Sequence, residues 1–317
     1  MIYRHIPVML SEIIEYLNCR PGKCYVDCTV GGAGHSSAIL ERIKPDGMLV
    51  GIDQDADAIQ NAVQVFKPDI SNVRLIHDNY VNLPNILSQL NICSVDGIVA
   101  DLGLSFNQLE NSGRGFSFLK TEPLDMRMDA SCGITAADIV NNETEESLER
   151  IFKSYGEERW ARKIARRIVA LRAVQRIQTS SGLAEIVCDA IPKRSMYKRK
   201  KHPATKVFMA LRIAVNNELE VLESFIASAV DYLTPGGRIC FLSFHSLEDR
   251  IVKRQFKKLE GKCTCPPDFP KCVCDKKQIV KILTRKVIRP TEEEVNANSM
   301  ARSACLRVAE KVEPSVV

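Results

Sequence analysis

The sequence predicts an α/β fold, namely a mostly parallel, doubly wound sheet with an all-helical domain inserted into it. Strand and helix signals alternate from the N-terminus to residue 105, which is typical of parallel strands joined by crossover helices. No convincing strand signal follows until the alternation resumes in the C-terminal part. We therefore expect 1–106 and 206–317 to form one discontinuous domain, and 107–205 to form the helical insertion.

Four strand signals in the N-terminal part are short apolar or β-branched runs that end near glycine or acidic residues. The helix signals between them have apolar residues at helical spacing. The predicted strands are CYVDCTV (24–30), GMLVGIDQD (47–55), NVRLIHDNY (72–80) and VDGIVADLGLS (95–105). Ligands of such sheets bind beyond the carboxyl ends of the strands, so the polar residues there are candidate site residues.

The insertion and the C-terminal part differ in their signals. Three amphipathic segments predict helices at 135–156, 158–175 and 179–191, and in the second of these Trp160, Ile164 and Ile168 recur on one side. A single long helix is predicted over 205–233. Further strands are predicted at TPGGRICFLSF (234–244), QIVKILTRKVI (278–288) and SACLRVAEK (303–311).

The positive charge is concentrated in the insertion. The net charge of the chain is +5, but Arg159–Lys201 contains 13 Lys and Arg and only the acids Glu185 and Asp189, a local balance of +11. Clustered cations favour a phosphate backbone, although a solvated helix face is the alternative explanation. The predicted RNA contacts are Lys198, Arg199, Lys200, Lys201, His202 and Lys206.

The cysteines suggest a metal site. With no apolar run of membrane-spanning length and no signal peptide at the N-terminus, we expect a soluble, cytoplasmic protein with no membrane partner, whose 12 cysteines are reduced. Four cysteines form two C-x-C pairs that could enclose one structural zinc ion; free thiols in turns are the alternative. These candidate ligands are Cys263, Cys265, Cys272 and Cys274.

The stretch DCTVGGAGHS (27–36) predicts a glycine loop that brings the backbone close to a ligand. The third glycine of a dinucleotide fingerprint and the lysine of a P-loop are both missing. Asp53 ends the second strand, where a carboxylate can accept ribose hydroxyls, while Tyr80 and Asp101 follow the next two strands. A nicotinamide oxidoreductase would share the loop and Asp53, but the missing glycine and the basic insertion argue against it.

This arrangement resembles the S-adenosylmethionine-dependent methyltransferases of the Rossmann-like class I, in which the last two strands pair at one edge of the sheet. Longer segments resemble the RsmH (MraW) family of cytosine-N4 methyltransferases that act on 16S rRNA of the small ribosomal subunit. The segments that carry this resemblance are HIPVML, DCTVGGAGHS, GIDQD, DLGLSFNQLE, RGFSF, PLDMRMD, YGEERWARKIARRIV, KHPATKVFMALRIAVNNELE, PGGRICFLSFHSLEDRIVKRQF and ARSACLRVAE.

The resemblance implies methylation of the N4 amine of a cytidine in the decoding region, with S-adenosylmethionine as cofactor and 16S rRNA or the small subunit as partner. A homodimer is a further expectation. The implied cofactor contacts are Ala33, Gly34, His35, Asp53, Tyr80, Asp101 and Gln108. Ala33 stands where other members can have glycine.

The catalytic candidates lie after the fourth and fifth strands. In DLGLS, Asp101 is the expected acceptor for the amine hydrogen, with Ser105 closing the motif. After the fifth strand, Ser243, Phe244 and His245 are expected beside the cleft, where Phe244 could stack on a displaced base. The alternative for this segment is a helix start with Ser246 as its N-cap.

Overall fold

The computed structural model describes residues 7–196, 201–261 and 277–313, and only the backbone of 68–70. The chain divides into two compact units: unit 1 is Met1–Gly103 with Leu219–Val317, and unit 2 is Leu104–Glu218. The insertion thus begins slightly earlier than expected from the sequence and ends at 218 instead of 205. The second boundary moves because a helix over Thr205–Asn216 buries Val207, Phe208 and Leu211 in the core of unit 2.

Fourteen α-helices lie in the described residues. In chain order they are α1 (Leu10–Leu17), α2 (Gly34–Ile43), α3 (Ala56–Phe66), α4 (Leu83–Gln89), α5 (Phe106–Glu110), α6 (Ala136–Asn142), α7 (Glu145–Ser154), α8 (Ala161–Arg172), α9 (Ser180–Ala190), α10 (Lys193–Met196), α11 (Thr205–Asn216), α12 (Glu218–Ala229), α13 (Ser246–Leu259) and α14 (Glu292–Ala297). Within the described part of the chain, none of them has the length and apolar character needed to cross a membrane.

Unit 1 is built on a seven-stranded sheet in the order β3-β2-β1-β4-β5-β7-β6. Its strands are β1 (Cys24–Asp27), β2 (Met48–Asp53), β3 (Val73–His77), β4 (Val95–Asp101), β5 (Leu233–Ser243), β6 (Val280–Ile282) and β7 (Cys305–Lys311). The pairs among β1 to β5 are parallel, and β7 is antiparallel to β5 and β6. The predicted mostly parallel sheet with a late antiparallel pair is confirmed.

Both faces of this sheet are covered, as alternate residues of β5 demonstrate. Ile239 and Phe241 belong to an apolar cluster that includes residues of α4, α12 and α13. Cys240 and Leu242 belong to a second cluster, which includes residues of α1, α2 and α3. Strands buried on both faces have continuous apolar runs, which explains why the sequence signal for β5 was clear.

The strand order reverses between β1 and β4, which lie side by side in the middle of the sheet, with Asp27 in register with Val99. In parallel sheets of this kind, ligands bind beyond the carboxyl ends of the strands at the point where the order reverses. The residues at the carboxyl ends of β1, β2 and β4 are consequently brought close to one another.

Unit 2 is helical and has its own apolar core. Thr135, Thr144 and Thr179 cap the first turns of α6, α7 and α9 by accepting backbone N–H bonds, which explains where these helices begin. In α8, Ile164 and Ile168 are fully buried, as the sequence predicts.

The single long helix predicted over 205–233 is wrong. The chain breaks at Asn217, which has φ 50° and ψ 36° in the left-handed region, between α11 and α12. Asparagine tolerates this conformation better than other side chains do. The break falls at the boundary between the two units.

Candidate active site at the carboxyl ends of the strands

The glycine loop after β1 is held by the end of β2. The backbone N–H of Gly31 donates to Oδ2 of Asp53 at 2.8 Å. Ala33 has φ 63° in the left-handed region and immediately precedes α2. A Cβ on Gly34 would lie 2.9 Å from the ring carbons of Pro7, so only glycine fits there without displacing its neighbour. The loop is therefore shaped by backbone constraints before any ligand binds.

Asp27 is a buried acid whose hydrogen bonds hold the glycine loop in place. It is 1% exposed, its Oδ2 accepts a hydrogen bond from Oγ of Ser36 at 2.5 Å, and its Oδ1 accepts from the backbone of Thr29 at 3.1 Å. Oγ1 of Thr29 in turn accepts from the backbone N–H of Asp101 at 2.7 Å. Burial raises the pKa of Asp27 to about 6. These contacts tie the end of β1 to the start of α2 and to the end of β4.

Sequence reasoning did not single out Asp27, Thr29 or Ser36, although all three lie in or beside the loop. A signal existed, because Asp27 interrupts an apolar strand and buried acids require partners. The spacing of Ser36 from Asp27 gave no further information, since only the reversal of the chain through the glycine loop brings the two side chains together.

Asp53 presents its carboxylate beside the loop at the end of β2. Its Oδ1 accepts from the backbone of Asp55 at 2.9 Å, and its Oδ2 is bonded to Gly31. A carboxylate has about four lone-pair positions, so two remain for hydroxyl donors. Burial raises the pKa of Asp53 to about 7. The ribose contact of Asp53 stays a prediction.

Asp101, the last residue of β4, has an unusual environment. Its Oδ1 is buried and has no hydrogen-bond partner among the described residues, and its Oδ2 lies 3.7 Å from Nδ1 of His35. Burial, reinforced by the negative charges of Asp27 and Glu248, raises the pKa of Asp101 well above its usual range. A buried oxygen of this kind needs a donor, which a ligand would supply.

His35 has a defined tautomer. Its Nε2 lies 2.9 Å from the backbone carbonyl oxygen of Val8, and since a carbonyl can only accept, Nε2 carries the proton. Burial lowers the pKa of His35, so the ring is neutral and the lone pair of Nδ1 faces Asp101. The sequence predicted His35 as a cofactor contact; the structure places its ring between the N-terminal segment and Asp101.

Tyr80 follows β3 in a short 3-10 turn. Its ring packs edge-on against Phe225 with centroids 4.7 Å apart, and the residue is only 9% exposed. Asn79 caps this turn by accepting from the backbone of Val81 at 3.0 Å. The apolar core thus fixes the ring of Tyr80 at one side of the strand ends.

The end of β5 carries three predicted catalytic residues with different environments. Ser243 is 1% exposed and its hydroxyl donates to the backbone oxygen of Cys305 at 3.3 Å, so it holds the sheet together. The ring of Phe244 is half-buried and lies 3.4 Å from where a Cβ on Gly103 would stand. Phe244, and not Ser243, therefore lies beside the end of β4.

His245, not Ser246, is the N-cap of α13. The His245 ring accepts from the backbone of Glu248, while Oε2 of Glu248 accepts from the backbone N–H groups of Phe244 and His245 at 2.8 and 3.3 Å. The helix start expected from the sequence exists, but it is shifted by one residue because an imidazole nitrogen serves as the capping acceptor. This capping box is nearly buried, with Glu248 2% exposed.

A family model described as the MraW methylase family matches residues 2–312. The chain belongs to the MraW methylase family. It is 54% identical over 312 residues to Ribosomal RNA small subunit methyltransferase H of Desulforapulum autotrophicum, covering 98% of this chain and 100% of that protein. The protein of the same name in Halothermothrix orenii is 50% identical over 308 residues, covering 97% of this chain and 98% of that protein. Unit 1 accordingly has the Rossmann-like class I methyltransferase fold.

Two further predicted residues of this methylase lie in unit 2. Ser105 caps α5 by accepting from the backbone of Gln108 at 3.1 Å, and Oε1 of Gln108 accepts from the backbone of Ser105 at 3.0 Å. Gln108 is 5% exposed. The pair therefore forms a capping box that orders the first turn of α5, a role that the sequence did not assign to Ser105.

The remaining predicted residues fall partly outside the described part of the chain. Lys198, Arg199 and Lys200 lie outside it, as do the four cysteines predicted as zinc ligands, Cys263, Cys265, Cys272 and Cys274. Lys201, His202 and Lys206 are described and exposed, and Nζ of Lys206 donates to the backbone oxygen of Glu157 at 2.7 Å.

Proposed function

We propose that this methylase transfers a methyl group from S-adenosylmethionine to the N4 amine of a cytidine in the decoding region of 16S rRNA. The observation that carries the proposal is the buried, unpartnered Oδ1 of Asp101 at the end of β4, in a member of the MraW methylase family. The relatives named Ribosomal RNA small subunit methyltransferase H support the choice of rRNA as substrate.

The site residues fit S-adenosylmethionine. The cofactor carries a sulfonium and an ammonium, and the site has the buried acid Asp27 and the half-buried acids Asp53 and Asp101 beside an imidazole whose pKa is lowered by burial. Asp53 and the loop Ala33–His35 would hold the ribose and methionine parts. When bound, the cofactor supplies an activated methyl group, and its loss leaves a neutral thioether.

Asp101 is the residue to orient the substrate amine. The lone pair of an exocyclic amine is delocalised into the ring, so the amine becomes a better nucleophile when its N–H donates to an acceptor that disfavours planarity. Oδ1 of Asp101 offers such an acceptor in a buried setting, where a hydrogen bond is stronger than in water. Its backbone is fixed by Thr29, so little reorganisation is required.

His35 faces Oδ2 of Asp101, the carboxylate oxygen that does not contact the amine in this proposal. The Nδ1 lone pair faces Oδ2 at 3.7 Å, which is longer than a hydrogen bond; such distances often shorten in the reactive complex. A proton held between Oδ2 and Nδ1 leaves Oδ1 free to accept from the amine, and its passage to Nδ1 would let Oδ1 take the proton that the amine loses on methylation. We propose His35 as a positioning residue for Asp101 in addition to its role in the loop.

Unit 2 supplies the proposed RNA contacts through its exposed Lys and Arg. The cluster Arg159–Lys201 has a balance of +11, and in α8 Arg162, Lys163, Arg166 and Arg167 are exposed. Phosphate contacts of this kind position a substrate without reading its sequence. The structural zinc and the homodimer stay predictions.

The decisive experiment is transfer of labelled methyl from S-adenosylmethionine to 30S subunits and to naked 16S rRNA, followed by nucleoside analysis. We expect N4-methylcytidine as the product. Label in another nucleoside would overturn the proposed specificity, and no label in any ribosomal substrate would overturn the proposed function. Asp101→Asn protein is the matched control for contaminating activity.

A further inference from the structure

Two aromatic rings stack on the surface of unit 2. The rings of Phe118 and His202 have centroids 4.5 Å apart and an interplanar angle of 18°. Phe208, which is buried, packs edge-on against Phe118 with centroids 5.3 Å apart. Phe118 therefore lies between a buried ring and an exposed one. We call the rings of Phe118 and His202 the aromatic platform.

The loop that carries Phe118 is tied down on both sides of it. The backbone of Gly115 donates to Oε2 of Glu122 at 3.0 Å, and Oγ of Ser180 donates to the backbone oxygen of Lys120 at 2.6 Å. A Cβ on Gly115 would meet the backbone oxygen of Pro123 at 2.3 Å, so the chain is packed against itself here. The first turn of α9 thus anchors this loop.

The ring of His202 is also held in one orientation. Its Nδ1 accepts from the backbone of Ala204 at 3.2 Å, and its Nε2 lies 3.9 Å from Sγ of Cys188 in α9. Because Nδ1 uses its lone pair as an acceptor, Nε2 is the ring nitrogen that can donate toward Cys188. The same helix, α9, therefore supports both halves of the platform.

The platform is accessible although it is rigid. His202 is exposed even though Phe118 covers one face of its ring. Leu119 is 81% exposed. Lys201, which precedes His202 in the chain, and Lys206, four residues after it, are also exposed. Fixed aromatic faces next to cations are the arrangement by which proteins bind single-stranded nucleic acid.

We propose that the aromatic platform binds an unpaired base of the RNA substrate by stacking on the outer face of His202. The residues of the platform all belong to unit 2. The two flanking lysines bind the adjoining phosphates. This inference rests on the proposed function for the identity of the polyanion, but its geometry is independent of the methyl-transfer site.

The test distinguishes binding by ring stacking from binding by charge, and both of these from an effect of the substitution on the packing of the loop. Wild-type protein, His202→Ala, His202→Phe and Lys201→Gln are titrated into a single-stranded oligoribonucleotide that contains 2-aminopurine, at several salt concentrations. Stacking quenches this fluorophore. We expect His202→Ala to bind roughly tenfold more weakly with an unchanged salt slope, and Lys201→Gln to lower the slope by about 0.7.

His202→Phe decides between a stacking role and a bracing role. It keeps an aromatic face but loses the contacts of the two ring nitrogens, so a stacking platform predicts binding and quenching close to wild type. Binding as weak as that of His202→Ala, or unchanged binding in His202→Ala, would overturn the proposal. Thermal melts of all variants exclude unfolding as the cause of weaker binding.

Methyl transfer to 30S subunits is measured in parallel with the same proteins. If wild type transfers no methyl group but the quenching pattern holds, the proposed function fails and the platform stands. If transfer proceeds and the quenching is insensitive to His202→Ala, the platform fails and the proposed function stands.

Discussion

The strand ends of unit 1 and the surface of unit 2 differ in both charge and burial. At the strand ends, Asp27 and Asp101 have buried oxygens and backbone anchors, whereas the cations of α8 are exposed on a helix face. A small cationic ligand requires a few polar groups held in place before it arrives, whereas a polyanion is attracted by the number of charges. Substitutions should therefore act through geometry in unit 1 and through salt dependence in unit 2.

Asp101→Asn is expected to have the largest effect, a loss of about a thousandfold in the rate of methyl transfer, within the range for a positioned acid–base group. The amide can still accept a hydrogen bond but cannot take a proton. Single-turnover rates with 30S subunits measure the loss, and cofactor titration with a thermal melt controls for binding and folding. Activity within threefold of wild type would assign Asp101 to orientation alone.

Neutralising Lys198, Arg199, Lys200 and Lys201 to Gln is expected to weaken RNA binding roughly 100-fold at physiological salt and to flatten its salt dependence by about 3 in slope. Affinity for S-adenosylmethionine should be unchanged. Filter binding across a salt series measures both quantities. RNA affinity equal to that of wild type would assign these charges to a solvated surface.

Asp27 makes stability depend on pH. Because burial raises its pKa from 3.8 to about 6, the folded protein binds this proton more tightly than the unfolded chain. The resulting stabilisation, on the order of 3 kcal/mol, is fully present below pH 3.8 and is lost as the pH rises through 6. Between pH 4 and pH 7, the free energy of unfolding measured with urea should decrease less in Asp27→Asn than in wild type.

Asp46→Asn is the control for that measurement, since Asp46 is an exposed acid of the same unit and its replacement should leave the decline unchanged. A decline in Asp27→Asn as steep as in wild type would place the titrating group elsewhere.

His35 contacts Val8 through Nε2 and faces Asp101 through Nδ1, and substitution by Gln or by Asn removes one of these contacts at a time. His35→Gln keeps a donor toward Val8 but no acceptor toward Asp101, so we expect normal stability and about tenfold slower transfer. His35→Asn keeps a polar atom near the position of Nδ1 and loses the bond to Val8, so it should lose about 1 kcal/mol of stability and most of its rate should remain. Equal rates in the two variants would contradict the assignment of Nδ1 to Asp101.

Ala33→Gly is expected to have the smallest effect, a gain of about 0.5 kcal/mol in stability. A left-handed alanine costs about 1–2 kcal/mol, and the greater freedom of glycine in the unfolded chain offsets part of the gain. Urea unfolding measures the difference. Gly34→Ala is the matched comparison and should be destabilising, because its Cβ would lie 2.9 Å from Pro7.

Much of unit 1 was predictable because its signals are local. Strands buried on both faces have continuous apolar runs, and the ends of β1, β2 and β4 place Asp53, Asp101 and the glycine loop at one edge of a parallel sheet by topology alone. The position after β3 also marked Tyr80, whereas Gln108 was added by the family resemblance alone.

Other features of the fold could not be predicted from short stretches of the sequence. The apolar residues recur at helical spacing through Asn217 without interruption, so the pattern does not predict the break there. The same pattern does not indicate that α11 packs in the core of unit 2. His245 as an N-cap depends on the orientation of its ring toward Glu248, and Ser246 is the more usual capping residue in that segment.

The amino-acid sequence by itself determined the α/β class, the helical insertion with its basic cluster, and the strand-end residues of the candidate site, because periodicity, charge and glycine placement act over short stretches of chain. Only the tertiary structure decided which of those residues are tied to one another. The bond of Ser36 to Asp27, the facing of His35 and Asp101, and the stacking of Phe118 on His202 depend on how distant segments pack, and packing is a property of the whole fold.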